Sequence, residues 1–258
     1  MIRFLQYALF ITLLAVCASC ENFSWLPKEP SDEPKEEESQ LSESREGLVV
    51  KKKDGRKISE VTYAEGKKEG RALNYFPSGK EELVLFYKNN LKDGLATTYY
   101  ESGVVKKESP YVKGKLEGIQ KHYFTNGNIS AEVPYMNGIQ SRKMKEYFKS
   151  GKEITKHAHI VVREINRVAS NGSFVIKISF SDKVRNAKFY QGALTSGEYF
   201  EEAKVSALDT QNGTATITLR PAQGTFIKEN LKIIGTYKTN KGLKYITTKV
   251  HSINFQGA

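Results

Sequence analysis

Residues 63–151 read YAEGKKEGRALNYFPSGKEELVLFYKNNLKDGLATTYYESGVVKKESPYVKGKLEGIQKHYFTNGNISAEVPYMNGIQSRKMKEYFKSG. Tyrosine recurs there as Tyr63, Tyr75, Tyr87, Tyr99, Tyr111, Tyr123, Tyr135 and Tyr147, always twelve residues apart. Gly79, Gly103, Gly127 and Gly151 recur at twenty-four. A second series, Gly70, Gly94 and Gly118, ends at Arg142, and a third reads Gly66, Asn90, Gly114, Gly138. A fixed period of this size is the mark of a repeat architecture.

After every second tyrosine comes a corner: Tyr75-Phe76-Pro77-Ser78-Gly79, Tyr99-Tyr100-Glu101-Ser102-Gly103, Tyr123-Phe124-Thr125-Asn126-Gly127 and Tyr147-Phe148-Lys149-Ser150-Gly151. Ser-Gly and Asn-Gly suit tight hairpin turns, because glycine adopts positive φ without steric cost. The alternate corner, Tyr87 to Gly94, is longer and also ends on glycine. Each unit therefore reads as two antiparallel strands and two turns. Alternation agrees: Leu83, Leu85 and Tyr87 share one face of a strand, as do Ile129, Ala131, Val133 and Tyr135, and Leu95, Thr97 and Tyr99. No apolar stripe of period 3.6 supports a helix.

The pattern Tyr-x-x-Gly-x-x-x-Gly followed by Tyr-aromatic-x-Ser/Asn-Gly resembles the MORN repeat in its bacterial variant, over Tyr63–Gly151 with about four units. A degenerate half-unit, Val49–Gly55, caps the start. The resemblance implies an elongated single-layered β meander in which each hairpin touches its neighbours. Its members are credited with membrane or phospholipid attachment, scaffolding and protein contact, and some bacterial relatives carry an antitoxin-like label.

The residue after each corner tyrosine is also aromatic: Phe76, Tyr100, Phe124, Phe148. Adjacent strand residues point to opposite faces, so aromatic rows are expected on both sides of the sheet. A single layer cannot easily bury both. One row then forms an interaction surface, unless twist or the following module covers it.

After Lys156 the period stops. The runs His159–Ile165, Ser173–Phe180, Ala187–Tyr190, Thr214–Leu219, Leu231–Tyr237 and Tyr245–Phe255 are rich in β-branched and aromatic residues. Asn171-Gly172, Asn212-Gly213 and Asn240-Lys241-Gly242 separate them. About seven short strands in about 100 residues predict an immunoglobulin- or fibronectin-like sandwich, without a cysteine pair or core tryptophan. The fold class is thus all-β.

At the other end, Met1–Cys20 has a cation at Arg3, an apolar run from Tyr7 to Val16 and a small-residue exit, the order of a secretory leader. The run is shorter than the roughly twenty residues of a membrane span. Val16-Cys17-Ala18-Ser19-Cys20 resembles a bacterial lipoprotein box, which implies cleavage before Cys20 and acylation there. Cys17 is the alternative. Residues 21–46 hold nine acidic and three basic side chains and three prolines. They are read as a disordered tether. The domains are therefore 1–20 leader, 21–46 acidic linker, 47–155 repeat and 156–258 sandwich. The chain carries +11 overall. Arg3 contributes +1 and the tether −6, so the body carries +16, which favours anionic surfaces.

Sites of chemistry are sparse. No phosphate loop, His-Glu-x-x-His or Gly-x-Ser-x-Gly occurs. His157-Ala158-His159 offers half a metal site at most, and the carboxylate pairs Glu81-Glu82 and Glu201-Glu202 read as solvated charge. No cofactor is called for. The expectation is a non-enzymatic lipoprotein of the bacterial cell envelope, on the inner or outer membrane, facing periplasm or cell surface. It would serve as a β-repeat scaffold for an unidentified protein partner. Two rivals stay open: a binder of anionic ligands, phospholipid headgroups or wall polymers, and an antitoxin-like neutraliser of a partner protein. Nucleic acid is not expected.

Overall fold

The computed structural model describes residues 45–257. The leader, Cys17, Cys20 and the tether up to Ser44 lie outside the described residues, so the acylation reading rests on sequence. Among the described residues no helix is long and apolar enough to cross a membrane.

The tyrosine period is realised as an antiparallel sheet of β1 (Gly47–Lys53), β2 (Arg56–Ala64), β3 (Lys67–Tyr75), β4 (Glu81–Lys88), β5 (Leu91–Lys92), β6 (Gly94–Tyr99), β7 (Val105–Val112), β8 (Lys115–Leu116), β9 (Gly118–Tyr123), β10 (Ile129–Met136), β11 (Ile139–Gln140) and β12 (Lys145–Glu146). The order along the sheet is β1-β2-β3-β4-β6-β7-β9-β10-β11, with β5, β8 and β12 pairing β4, β7 and β10. Chain order is spatial order, as in a meander.

The two corner types differ in mechanism. At Phe76 the N–H donates to Lys80 C=O at 2.8 Å and its own C=O accepts from Gly79 N–H at 2.8 Å. This is a three-residue loop, a type I turn closed by a glycine bulge, and Pro77 sits where that turn favours proline. The same two bonds recur at Tyr100, Phe124 and Phe148. Glycine is required because φ at Gly79, Gly103, Gly127 and Gly151 is 85–88°. The longer corner is not one loop. Asn89 and Asn90, both at positive φ (50° and 67°), form a two-residue turn, as do Lys113-Gly114 and Asn137-Gly138. A two-residue strand follows, and then Gly94 or Gly118 at positive φ bends the chain into the next long strand.

Apolar packing in the sheet is thin. Ala72, Leu85 and Ala96 are buried on one face with Val61, Leu83, Tyr87 and Tyr111 against them. The Leu83-Leu85-Tyr87 face is therefore the inner one. Leu95 lies on the other: Thr98, opposite Leu83, and Ala96 are the β6 residues that face inward.

The C-terminal module comprises β13 (Ile160–Arg167), α1 (Val168–Asn171), β14 (Ser173–Phe180), β15 (Lys188–Gln191), β16 (Ser206–Leu208), β17 (Thr210–Gln211), β18 (Thr214–Leu219), β19 (Phe226–Lys238) and β20 (Lys244–Gln256). Two four-stranded antiparallel sheets form, β13-β14-β18-β17 and β16-β15-β19-β20. With the strands lettered in chain order as A, B, C, C′, D, E, F and G, the sheets are ABED and C′CFG. That is the immunoglobulin-like arrangement. The count is eight because β16 and β17 are short. Asn171-Gly172 closes a single helical turn, with Gly172 N–H donating to Val168 C=O.

Between the sheets Phe174, Ile176, Ile178, Phe180, Phe189, Ile233 and Phe255 are buried. Phe174 and Phe255 stack at 4.0 Å across the core. Gly235 is the tight point: a Cβ there would lie 2.7 Å from Phe180 Cζ and 3.1 Å from Ile160. Gly235→Val is expected to destabilise the sandwich by about 3 kcal/mol through overpacking, read as a lowered Tm in thermal denaturation.

Candidate functional site

The repeat is held by two carboxylate ladders. The first joins corner tyrosines to the preceding strand pair. Tyr123 Oη donates to Glu108 at 2.6 Å and Tyr147 Oη to Glu132 at 2.8 Å. Tyr75 bonds Glu60 in the same way. Glu60, Glu108 and Glu132 keep the twenty-four-residue period, and Val84 interrupts it opposite Tyr99. Burial, then the carboxylate bond and its charge, push the Tyr123 and Tyr147 hydroxyls up to about 12, so both remain donors across the physiological range.

The second ladder staples each two-residue turn to the preceding unit. Glu69, Asp93 and Glu117 accept from the backbone N–H of Asn89, Lys113 and Asn137 at 2.7, 3.2 and 2.7 Å. The carbonyls of Lys68, Lys92 and Leu116 accept from Asn90, Gly114 and Gly138. Lys68 and Lys92 also place ammonium groups 5.2 and 5.6 Å from the Tyr87 and Tyr111 ring centroids. Tyr75, Tyr123 and Tyr147 are thus bound through the hydroxyl, and Tyr87 and Tyr111 are covered by a cation. Arg45 and Glu46 make the same contacts to Tyr63, Gly66 and Glu65. These two residues, assigned above to the tether, belong to the repeat: Arg45-Glu46-Gly47 is the counterpart of Lys68-Glu69-Gly70 and Lys92-Asp93-Gly94.

The outer face carries the exposed apolar surface. Leu95 pairs with Pro110 and Ile119 with Pro134 across neighbouring strands, and Phe86 lies against Gly94. Phe86, Leu95 and Ile119 are 41%, 45% and 48% exposed. Prolines are tolerated in these inner strands because pairing breaks beside them: β7 leaves β9 after Glu108 and meets β8 at Tyr111. Beside this row runs a charged one, Glu108-Lys121-Glu132-Lys145, alternating in sign across β7, β9, β10 and β12. The sequence reading passed over the apolar row. Its signal is present in Phe86, Pro110 and Pro134, spaced by twenty-four, and in Leu95 and Ile119, spaced likewise.

The four corner aromatics occupy the first position of each type I turn, immediately before the three-residue loop. Phe148 is 53% exposed. Phe76, Tyr100 and Phe124 are half-buried. Tyr100 Oη donates to Tyr123 C=O at 2.8 Å, and Lys241 Nζ lies 4.8 Å from the Phe124 ring centroid. This row is partly occupied by the protein's own groups.

The period ends where the sandwich begins to bind. Ser141 and Arg142 stand where Glu117 and Gly118 stand one unit earlier. Ser141 bridges to Tyr199, and Arg142 N–H donates to Glu198 C=O at 2.9 Å. Lys241, in the β19–β20 loop, donates to the carbonyls of Ser130 (2.8 Å) and Tyr147. Thr239 Oγ1 donates to buried Glu146 at 2.8 Å. Burial holds the Lys241 ammonium below the ordinary lysine range. A cleft of about 460 Å³ adjoins this contact, lined by Glu146, His157, Asp182 and Tyr237 among others.

The residues weighed for chemistry have structural partners. His157 precedes β13, stacks on Tyr245 at 4.3 Å and lies 4.0 Å from Glu146, whereas His159 is exposed. Glu201 accepts from Thr195 and pairs with Lys204, Glu202 accepts from Tyr190, and Glu81 pairs with Arg71. Among the described residues no group of three His, Cys, Asp or Glu side chains is placed to hold a metal. His122 bonds Gln120 at 3.0 Å. Burial first, and then Lys107, lower its pKa to about 4.

Residues 92–113 and 116–137 match the model of the MORN repeat variant. Each match starts at the residue before the stapling acid, Asp93 or Glu117, and ends in the next two-residue turn, so the matched unit is the hydrogen-bonded one. This stretch is built of MORN-type repeats, and the flanking units repeat their hydrogen bonds. A comparison with curated proteins gives no match.

Tyr147→Phe is expected to cost about 1 kcal/mol in chemical denaturation, and Tyr99→Phe, with Val84 in place of the carboxylate, much less. His122 has a folded pKa below the unfolded value near 6.5, so the unfolded chain takes up its proton first. Its contribution is complete above that value and declines as pH falls toward 4. The stability–pH slope between 6.5 and 4 is therefore expected to be shallower in His122→Gln, measured by urea unfolding across that range.

Proposed function

We propose that this MORN-repeat chain is a non-enzymatic scaffold that binds a partner protein at a bacterial cell envelope, held to the membrane by lipid on Cys20. The observation that carries the reading is the outer row Phe86-Leu95-Pro110-Ile119-Pro134. It crosses five consecutive strands, stays half exposed and is flanked by charge. Rows of apolar side chains with polar borders are the anatomy of binding surfaces. The inner face supplies the sheet's own cluster, and the sandwich is tied to the last unit. This leaves the outer row for contact in trans. The leader and its Cys20 box supply the address, and lipid anchoring by more than one chain would make it stable.

Three measurements test this. Mass spectrometry of the mature N-terminus should find an acylated Cys20, and an unmodified chain with its leader removed elsewhere would overturn the anchor. A photocrosslinking residue at position 86 or 119 in intact cells should capture the same protein, and one at exposed Lys177 in the sandwich should not. Ile119→Asp should abolish co-purification of that protein with Tm unchanged. Equal capture from all three positions would overturn the surface.

The anionic-ligand reading is favoured by the +16 body. It predicts sedimentation with anionic vesicles that 0.5 M salt removes and Ile119→Asp leaves intact.

A further inference from the structure

The inner long strands of the repeat sheet have neighbours on both sides, but among the described residues β1 bonds only to β2. The repeat itself specifies what the open side of β1 is shaped to receive. Arg45-Glu46-Gly47 is the counterpart of Lys92-Asp93-Gly94, so β1 occupies the position that β6 holds two units later. β6 is flanked by β4, with Leu83 opposite Thr98 and Val84 opposite Thr97. The counterparts of Thr98 and Thr97 in β1 are Lys51 and Val50. Continued along the strand, this register sets Glu82 and Glu81 opposite the counterparts of Lys52 and Lys53, and Phe86 opposite that of Leu48. The side chains on β1 fit that order. Lys51, Lys52 and Lys53 are exposed, and Leu48 and Val50 are 60% and 37% exposed on the outer face.

We propose that β1 is a docking edge for an extended strand of a partner protein, acidic at its first residues and apolar at alternate positions after them. The strand adds to the sheet in the register that β4 holds on β6. Main-chain bonds to the open edge supply affinity, and the lysines select the acidic end. A second copy of this chain presents the same three lysines at its edge, and charged edges of this kind oppose self-pairing. The inference rests on the protein-binding reading and names the second element of its contact surface.

The probe is a labelled peptide with the β4 sequence, Lys80–Lys88, added to the full chain. Saturable binding is expected, with slowed hydrogen exchange of the Gly47–Lys53 amides. The triple variant K51E/K52E/K53E should weaken binding at least tenfold. N-methylation of one alternate set of peptide amides should abolish binding, and of the other set should leave it. Equal binding of a scrambled peptide, or of both N-methylated forms, would reduce the effect to ionic adsorption and overturn the proposal. Unchanged exchange in β1 would overturn it as well, as would a dimer through β1 in sedimentation. If the peptide fails while positions 86 and 119 still capture a partner in cells, the scaffold reading stands and this one falls.

Discussion

A sheet with no second layer over its outer face among the described residues has to stabilise its own turns. In this protein the acidic side chain at the start of each unit performs that task. Glu46, Glu69, Asp93 and Glu117 each reach a backbone N–H of the following turn. The neighbouring carbonyl takes a second N–H of the same turn. These amides would otherwise face water at the sheet margin, and a charged acceptor binds them more strongly than a neutral one. The bonds also run between units, so each turn is coupled to its predecessor. Such nearest-neighbour coupling makes a stack of weak hairpins cooperative. The apolar cluster of Ala72, Leu85 and Ala96 is too small to hold so many strands, and the ladders supply the rest.

The tyrosine period made the hairpins, their order and the corner glycines legible, because Gly at positive φ and aromatic strand positions are local signals. The acid series carry the same period and are equally plain in the sequence. Yet a glutamate on a strand reads as solvated charge until its acceptor geometry is seen. The outer row was missed for a related reason. Alternation groups Leu95 with Thr97 and Tyr99 along their strand but does not say which face is inner, and the pairing of Leu83 with Thr98 turns Leu95 outward. In the sandwich, strand spacing sufficed for the architecture. It did not suffice for the module contact, where Lys241 reaches Tyr147 and Thr239 reaches Glu146 across more than ninety residues. No local pattern encodes such a meeting.

The interruptions of the period carry as much information as the period. Val84 removes a carboxylate from the first ladder at a position that is buried. Ser141 and Arg142 replace the stapling acid and the bending glycine where the chain no longer needs to start another unit. At that point Ser141 turns to Tyr199, Arg142 turns to Glu198, and Lys143 pairs with Glu198 as well. A repeat stack requires terminal units with altered faces, since the last hairpin has no successor to bond. Here the sandwich is the cap at the C-terminal end, tied on by Lys241, Thr239 and Gln140.

The two faces divide the work that a layered domain gives to core and surface. Inward, small residues such as Ala72, Ala96 and Ala131 let strands and tyrosine rings pack closely. Outward, the same period must place some residue at each register position, and it places Phe86, Leu95, Pro110, Ile119 and Pro134. Each proline sits where the ladder already lacks a bond, so it costs the sheet little and stiffens a surface that is otherwise one strand thick. A flat apolar row backed by a stiffened single layer gains nothing for folding by staying exposed. Its exposed area is unfavourable in water and is offset only when another surface covers it. The central units therefore carry an apolar row that their own packing leaves half exposed, whereas its counterparts in the flanking units are Thr62, Arg71 and Lys143.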